Sequence, residues 1–223
     1  MTDYLEPKYP LFLDIRGKQT VVVGAGRVAE RKIVSLLEYG ARVRVIAPVA
    51  TAEIQAWAAS DRIVMTLRPY QPGDLGDAFL VICATDDHSV NKQVFAEAEQ
   101  NHTLVNVVDV PQLSNFILPA VVKRGPLQIA ISTSGAAPAV AKHIRADLEE
   151  SFGPTWPAYL GLLGELRGLV LERVPGKAAV RQPIFEIIAS SDLYQRLLAG
   201  ENISAQQAYD EIVTPYLSQT GSR

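Results

Sequence analysis

Cysteine occurs once in 223 residues, so no disulfide can form within the chain. The single thiol, Cys83, lies in the apolar run Phe79-Leu-Val-Ile-Cys83 and reads as a small buried hydrophobe rather than a nucleophile. No apolar run approaches the roughly 20 residues that cross a bilayer as a helix, so no membrane association is expected. The opening Met1-Thr-Asp-Tyr-Leu-Glu-Pro has neither the basic start nor the apolar core of an export signal, and a soluble, cytoplasmic protein is expected. Basic charge is not in excess. Lys and Arg number 21 against 24 Asp and Glu, a net charge of -3, which argues against a nucleic-acid partner. Histidine is scarce too: His88, His102 and His143 show no metal-ligand spacing, so no metal site is expected. What the chain does have is apolar bulk, 48% of its residues, enough for one α/β domain and a smaller appendage.

The apolar residues are arranged with alternating periods. Residues 19–23 are β-branched and predict a strand, Gly24-Ala-Gly26 breaks it, and residues 28–39 resume with helical spacing. Further strands are predicted over 42–46, 63–67, 78–84 and 103–108, with helices over 50–59 and 89–100. Asp86, Asp87 or Ser89 would cap the second of these helices. Strands and helices alternating at this length predict an α/β fold with a parallel, doubly wound sheet. Past Pro111 the texture changes. Residues 116–122 and 127–132 predict a hairpin around Lys123-Arg-Gly-Pro126, then a polar loop leads to Pro138 at the start of a helix over 139–152. The remainder reads as helical, with Ser204 and Gln207 spaced as a capping box and residues 218–223 frayed.

Gly24-Ala-Gly26-Arg-Val-Ala29 fits G-x-G-x-x-G/A, directly after a strand and at the mouth of a helix. That context predicts a Rossmann-like dinucleotide site. Gly24 permits the sharp turn, Gly26 lets a pyrophosphate approach the backbone, and Ala29 lets the helix lie close on the sheet. The amides of Arg27 and Val28 would then face the phosphates from the positive end of the helix dipole. A bare glycine turn with no ligand is the plainer alternative. One part of the fingerprint is missing: no Asp or Glu ends the second strand, which reads Val45-Ile-Ala-Pro48-Val49. Adenosine would be held by backbone and apolar contact near Pro48 and Val49. Arg42 and Arg44 lie earlier on that strand, so these residues leave NAD and NADP both open.

From Gly24-Ala-Gly-Arg-Val-Ala-Glu-Arg-Lys32 through Ala84-Thr-Asp-Asp87, Asn106-Val-Val-Asp109 and Ser132-Thr-Ser-Gly135, the sequence resembles the dehydrogenase module of siroheme synthases. Order and spacing of the four blocks agree, and the likeness extends over residues 9–151. The resemblance implies an NAD-dependent oxidation of precorrin-2 to sirohydrochlorin, a homodimer, and in some members insertion of ferrous iron as a second reaction. It also implies the stand-alone form, without an appended methyltransferase. Three regions follow: an NAD-binding domain over 1–112, a hairpin and helix for dimerisation and substrate contact over 113–152, and a helical domain over 153–223.

The resemblance assigns catalysis to Asp109, at the carboxyl edge of the predicted sheet where doubly wound folds bind ligands. From the residues alone, Asp109 reads as a turn aspartate ahead of Pro111. Thr85 would lie near the nicotinamide end of the cofactor, beside the capping carboxylates Asp86 and Asp87. The loop Ser132, Thr133, Ser134 and Gly135 would offer amides to the carboxylates of the substrate, or simply connect hairpin to helix. Lys123 and Arg124, with Lys142 and Arg145, would pair with further carboxylates, or remain on a solvated surface. His143 on the following helix would face the macrocycle or solvent. Two other readings compete: a non-catalytic NAD-sensing module, which needs only the cofactor half, and a dehydrogenase for another small substrate, for which no histidine–carboxylate pair stands beside the glycine motif.

Overall fold

The computed structural model describes residues 6–220, which divide into two compact units: residues 6–118 with 134–137, and residues 119–133 with 138–220. The opening Met1–Leu5, on which the expectation about export rests, lies outside the described residues.

The first unit is a five-stranded parallel sheet in the order β3-β2-β1-β4-β5, formed by β1 (Gln19–Val23), β2 (Arg42–Ala47), β3 (Val64–Leu67), β4 (Leu80–Cys83) and β5 (Leu104–Val107). The central strands β1 and β4 are buried along nearly their whole length because both faces are covered, whereas the edge strand β3 is partly exposed. Val21 and Val23 enter one core and Val22 the other, as the two-residue strand period requires. On one face α1 (Arg27–Glu38) presents Ala29, Ile33 and Leu36, and α2 (Ala52–Ala59) presents Ile54 and Trp57. On the other face α3 (His88–Gln100) presents Val94 and Ala98. This is the doubly wound α/β architecture expected from the alternating pattern.

Local chemistry sets the helix starts. Thr51 caps α2, two residues later than expected, and the Asp87 carboxylate caps α3 by accepting the amides of Ser89 at 2.8 Å and Val90 at 3.2 Å. Between β3 and β4 the chain crosses the sheet without a helix. That crossover is held by two carboxylates: Asp74 accepts a two-pronged bond from Arg68 at 2.6 Å, and Glu97 of α3 accepts from Tyr70 and from the amides of Gly73 and Leu75.

The edge of β5 departs from expectation. Residues 116–119 were expected to begin a hairpin strand, yet the segment before them runs along β5 and satisfies it with side chains. Asn115 Oδ1 accepts the Val105 amide at 2.8 Å, Asn115 Nδ2 donates to the Thr103 carbonyl at 3.0 Å, and Ser114 Oγ accepts the Val107 amide at 2.9 Å. Short amide and hydroxyl side chains substitute here for a sixth strand, which closes an otherwise open edge.

In the second unit β6 (Ala120–Arg124) and β7 (Leu127–Ile131) pair antiparallel, Arg124 opposite Leu127 across the Gly125-Pro126 turn. Then follow α4 (Pro138–Ser151), α5 (Trp156–Arg173), α6 (Ala178–Ala189), α7 (Leu193–Leu198), α8 (Ala205–Ala208), a π-helical turn (Tyr209–Val213) and α9 (Thr214–Thr220). Leu162, Leu166 and Val170 of α5, four apart, pack with Ile184, Ile188 and Leu193 in the core of this unit. Ser204 Oγ accepts the Gln207 amide at 3.1 Å, but the Gln207 side chain donates onward to Glu211, so only half of the expected capping box forms. Residues 218–220, expected to fray, close α9; residues 221–223 lie outside the described residues. No described helix is long and apolar enough to cross a membrane.

Candidate active site

A doubly wound sheet binds ligands where strand order reverses, outside the carboxyl ends of the strands. Here the reversal lies between β1 and β4, since β1 pairs with β2 on one side and β4 on the other. Gly24 ends β1 at that point. It has φ +102°, and a Cβ built on it would lie 2.3 Å from the Ala84 carbonyl oxygen, so only glycine lets β1 and β4 come together. Gly26, the residue before α1, is extended and carries no side-chain cap; nothing stands within 4 Å of a Cβ built on it. The open space and the uncapped amides of Arg27 and Val28 fit a pyrophosphate.

On the β2 side, Pro48 and Val49 follow the strand and are exposed, Val49 by 78%. The Thr51 amide donates to the Ala25 carbonyl at 3.1 Å and ties this loop to the glycine turn. An exposed apolar surface beside the phosphate position suits an adenine, and no carboxylate is present at the end of β2. Arg42 stands opposite Gln19, at the far end of the sheet from Gly24, and Arg44 donates to the Asp74 carbonyl. Neither is placed to grip a 2′-phosphate.

On the β4–β5 side, Val28, Ala84, Thr85, Asp86, His88, Asn91 and Val108–Val110 line a cavity of about 280 Å³. Thr85 and Asp109, far apart in sequence, meet on its wall. Asp109 follows β5 in the left-handed region, φ +60°, an uncommon state for a non-glycine residue that aspartate tolerates better than most. Its charge reaches Lys32 of α1: burial lowers the pKa of the half-buried Lys32 ammonium, Arg31 adds to the lowering, and Asp109 opposes it. Lys32 and Asn91 were given no role by the sequence. A polar residue spaced with Val94 and Ala98 on the apolar face of α3 was the signal for Asn91.

The residues expected to meet substrate carboxylates are divided. Ser134, at φ +51°, and Gly135 group with the sheet unit, whereas Lys123, Arg124, Ser132 and Thr133 belong to the helical unit. Arg124 commits three donors to main-chain carbonyls: Nε to Phe152 at 2.7 Å, Nη2 to Glu149 at 2.8 Å and Nη1 to Lys123 at 3.0 Å. It thereby caps the last turn of α4. Arg145 pairs with Glu149 along α4 at 3.6 Å, and Lys142 and His143 are exposed. Among the described residues no three His, Cys, Asp or Glu side chains gather as a metal site.

The reversed strand order, the glycine turn and the open mouth of α1 together define a dinucleotide-binding domain. Residues 11–120 match the family model described as "Putative NAD(P)-binding", and residues 124–151 match "Sirohaem biosynthesis protein central". The chain is similar to siroheme synthases of Nitrosococcus oceani, 38% identical over 90% of this chain and 43% of that protein, and of Aeromonas salmonicida, 36% identical over 99% and 46%. A solved structure, "SirC, precorrin-2 dehydrogenase", superposes with a TM-score of 0.76 at 28% identity, covering 93% of this chain and all of the other. The chain belongs to the siroheme-synthase family, as the four sequence blocks implied. It spans less than half the length of the curated relatives it matches. The matched family model is one for NAD(P) binding, which supports NAD as the cofactor.

Proposed function

We propose that this protein is an NAD-dependent dehydrogenase that oxidises precorrin-2 to sirohydrochlorin in siroheme biosynthesis. The observation that carries the reading is the cavity at the ends of β4 and β5, where Thr85 and Asp109 stand beside the start of α1. Support comes also from the solved neighbour, a precorrin-2 dehydrogenase. Bound NAD would supply the hydride acceptor, held by Gly24, Gly26, Arg27, Val28, Pro48, Val49 and Thr85. Asp109 accepts the proton that leaves the macrocycle as the hydride departs, an exposed carboxylate being the only candidate base among the cavity-lining groups besides Asp86 and His88. Asp86 is flanked by the capping Asp87, and His88 is the first residue of α3. Neither was assigned catalysis by the family blocks.

Ser132, Thr133, Ser134, Gly135 and Lys123 are the proposed contacts for substrate carboxylates. Arg124 is left out because the last turn of α4 occupies its guanidinium. The three-region division at residues 112 and 152, a cytoplasmic location and a homodimer built on the hairpin and α4 belong to the same proposal. Val140 and Ile144, one turn apart and both exposed on α4, favour the homodimer, since apolar side chains one turn apart form a stripe that another surface can cover. Ferrous iron as a second substrate fits the same carboxylate, which would take the pyrrole protons that chelation releases. A non-catalytic NAD sensor would have no use for Asp109.

The test is an anaerobic assay of the protein with precorrin-2 and either NAD or NADP, followed by the absorbance of the more conjugated product. Formation of sirohydrochlorin with NAD, and little with NADP, is the expected result. Binding of NAD without turnover would leave the sensor reading in its place.

A further inference from the structure

Asn91 is a polar side chain at a core position, with only 2% of its surface exposed. Its Oδ1 accepts a hydrogen bond from Cys83 Sγ at 3.1 Å. Burial pushes the Cys83 thiol up to about 12, against the pull of a backbone hydrogen bond from Thr85. At neutral pH the sulfur is therefore a protonated donor. With the Thr85 amide already donating to the sulfur, the thiol proton is what remains for Asn91, and it turns the amide oxygen toward sulfur and the nitrogen away from it. Asn91 also lines the cavity that holds Thr85 and Asp109, and among the described residues no acceptor is bonded to its Nδ2. Nδ2 is not one of the fully buried unpartnered atoms, so it opens on the cavity, where a ligand can supply its acceptor.

We propose that Asn91 Nδ2 donates to the carboxamide oxygen of the nicotinamide, and that Cys83 is the positioning residue that aims it. The inference deepens the dehydrogenase reading and rests on it. The glycine turn sets the pyrophosphate at the β1–β4 reversal and the Pro48–Val49 surface takes the adenosine on the β2 side, which leaves the β4–β5 cavity for the nicotinamide. Nδ2 carries only hydrogen-bond donors, so it selects the carbonyl oxygen of the carboxamide and not its amino group. Anchoring that oxygen restricts rotation of the ring about its glycosidic bond. One ring face is thereby offered for hydride transfer.

The test is calorimetric titration of the whole chain, wild type, Asn91→Leu and Cys83→Ala, with three probes. NAD carries the carboxamide, 3-acetylpyridine adenine dinucleotide keeps its carbonyl oxygen but not its amino group, and ADP-ribose lacks the ring. Asn91→Leu should weaken NAD and the acetylpyridine analogue alike, by about five- to tenfold for one lost hydrogen bond, and leave ADP-ribose unchanged. Cys83→Ala, which keeps Asn91 but frees its orientation, should give a smaller loss with the same selectivity. An equal loss for ADP-ribose, an undiminished affinity for NAD, or a loss for NAD alone with the analogue unaffected would each overturn the assignment. If Asn91→Leu does not fold, Cys83→Ala decides by the same criteria. A wild type that binds neither NAD nor NADP would overturn the dehydrogenase reading itself, whereas a wild type that binds NAD and a variant that matches it overturn only the role of Asn91.

Discussion

Gly24 and Ala84 stand so close that the strands they terminate can meet only through bare backbone: a Cβ on Gly24 would lie 2.3 Å from the Ala84 carbonyl oxygen. Gly26, two residues on, faces open space, with nothing within 4 Å of the equivalent atom. The two glycines of one motif therefore answer different demands. The first is required by the fold, and the second by what approaches from outside.

Opposite phenotypes follow for their substitution. Gly24→Ala should cost about 3 kcal/mol or more, because main chain cannot move aside as a flexible side chain can and φ +102° is strained for alanine. Gly26→Asp should fold normally yet lose NAD binding, because its carboxylate would repel the pyrophosphate. Thermal melts and calorimetric titration of both variants distinguish them. Equal melting temperatures would contradict the division of roles.

Asp109 combines a proposed chemical task with a left-handed backbone. Asp109→Asn should keep the fold and NAD affinity while turnover of precorrin-2 falls at least about a hundredfold, the lower range for loss of a general base. Asp109→Ala should be equally inactive and less stable than the asparagine variant by about 1 kcal/mol, since alanine tolerates positive φ less well. Wild-type turnover by a folded Asp109→Asn protein would reduce Asp109 to a turn residue. If ferrochelation falls in parallel, one carboxylate serves both reactions.

The crossover between β3 and β4 depends on Asp74, whose carboxyl is held below its ordinary range chiefly by the hydrogen bond from Arg68, while burial opposes. A carboxylate with a depressed folded pKa stabilises above its unfolded pKa and loses that contribution as pH falls through the folded value. Asp74→Asn should therefore lower the melting temperature at pH 7, and the gap to wild type should narrow as pH drops below about 4. Parallel melting curves down to pH 2 would show that the ion pair contributes nothing to folding.

Light scattering at micromolar concentration should give the mass of a dimer. Val140→Glu with Ile144→Glu should shift it toward the monomer, because two carboxylates would be desolvated at an apolar contact. A monomeric wild type would remove the hairpin and α4 as an interface.

The sequence by itself determined what short-range physics governs. Strand and helix periods, the glycine turn at residues 24–26, a cap at the start of α3 and a turn near residue 125 all act within a few residues and are present in the structure, which chose Asp87 among the three candidate caps and began the hairpin strand at Ala120 rather than at residue 116. Side chains acting across the fold were decided only by tertiary structure. Asn115 and Ser114 complete the edge of β5 in place of a strand, and Arg124 is drawn from the hairpin to the end of α4 by carbonyls at residues 149 and 152. Asn91 meets Cys83 only because α3 lies against β4. A hydrogen bond is directional and short, so its partners are known only when distant backbone segments have been brought to within about 3 Å of each other. Periodicity names the face a residue occupies, and packing alone decides which polar atom waits there.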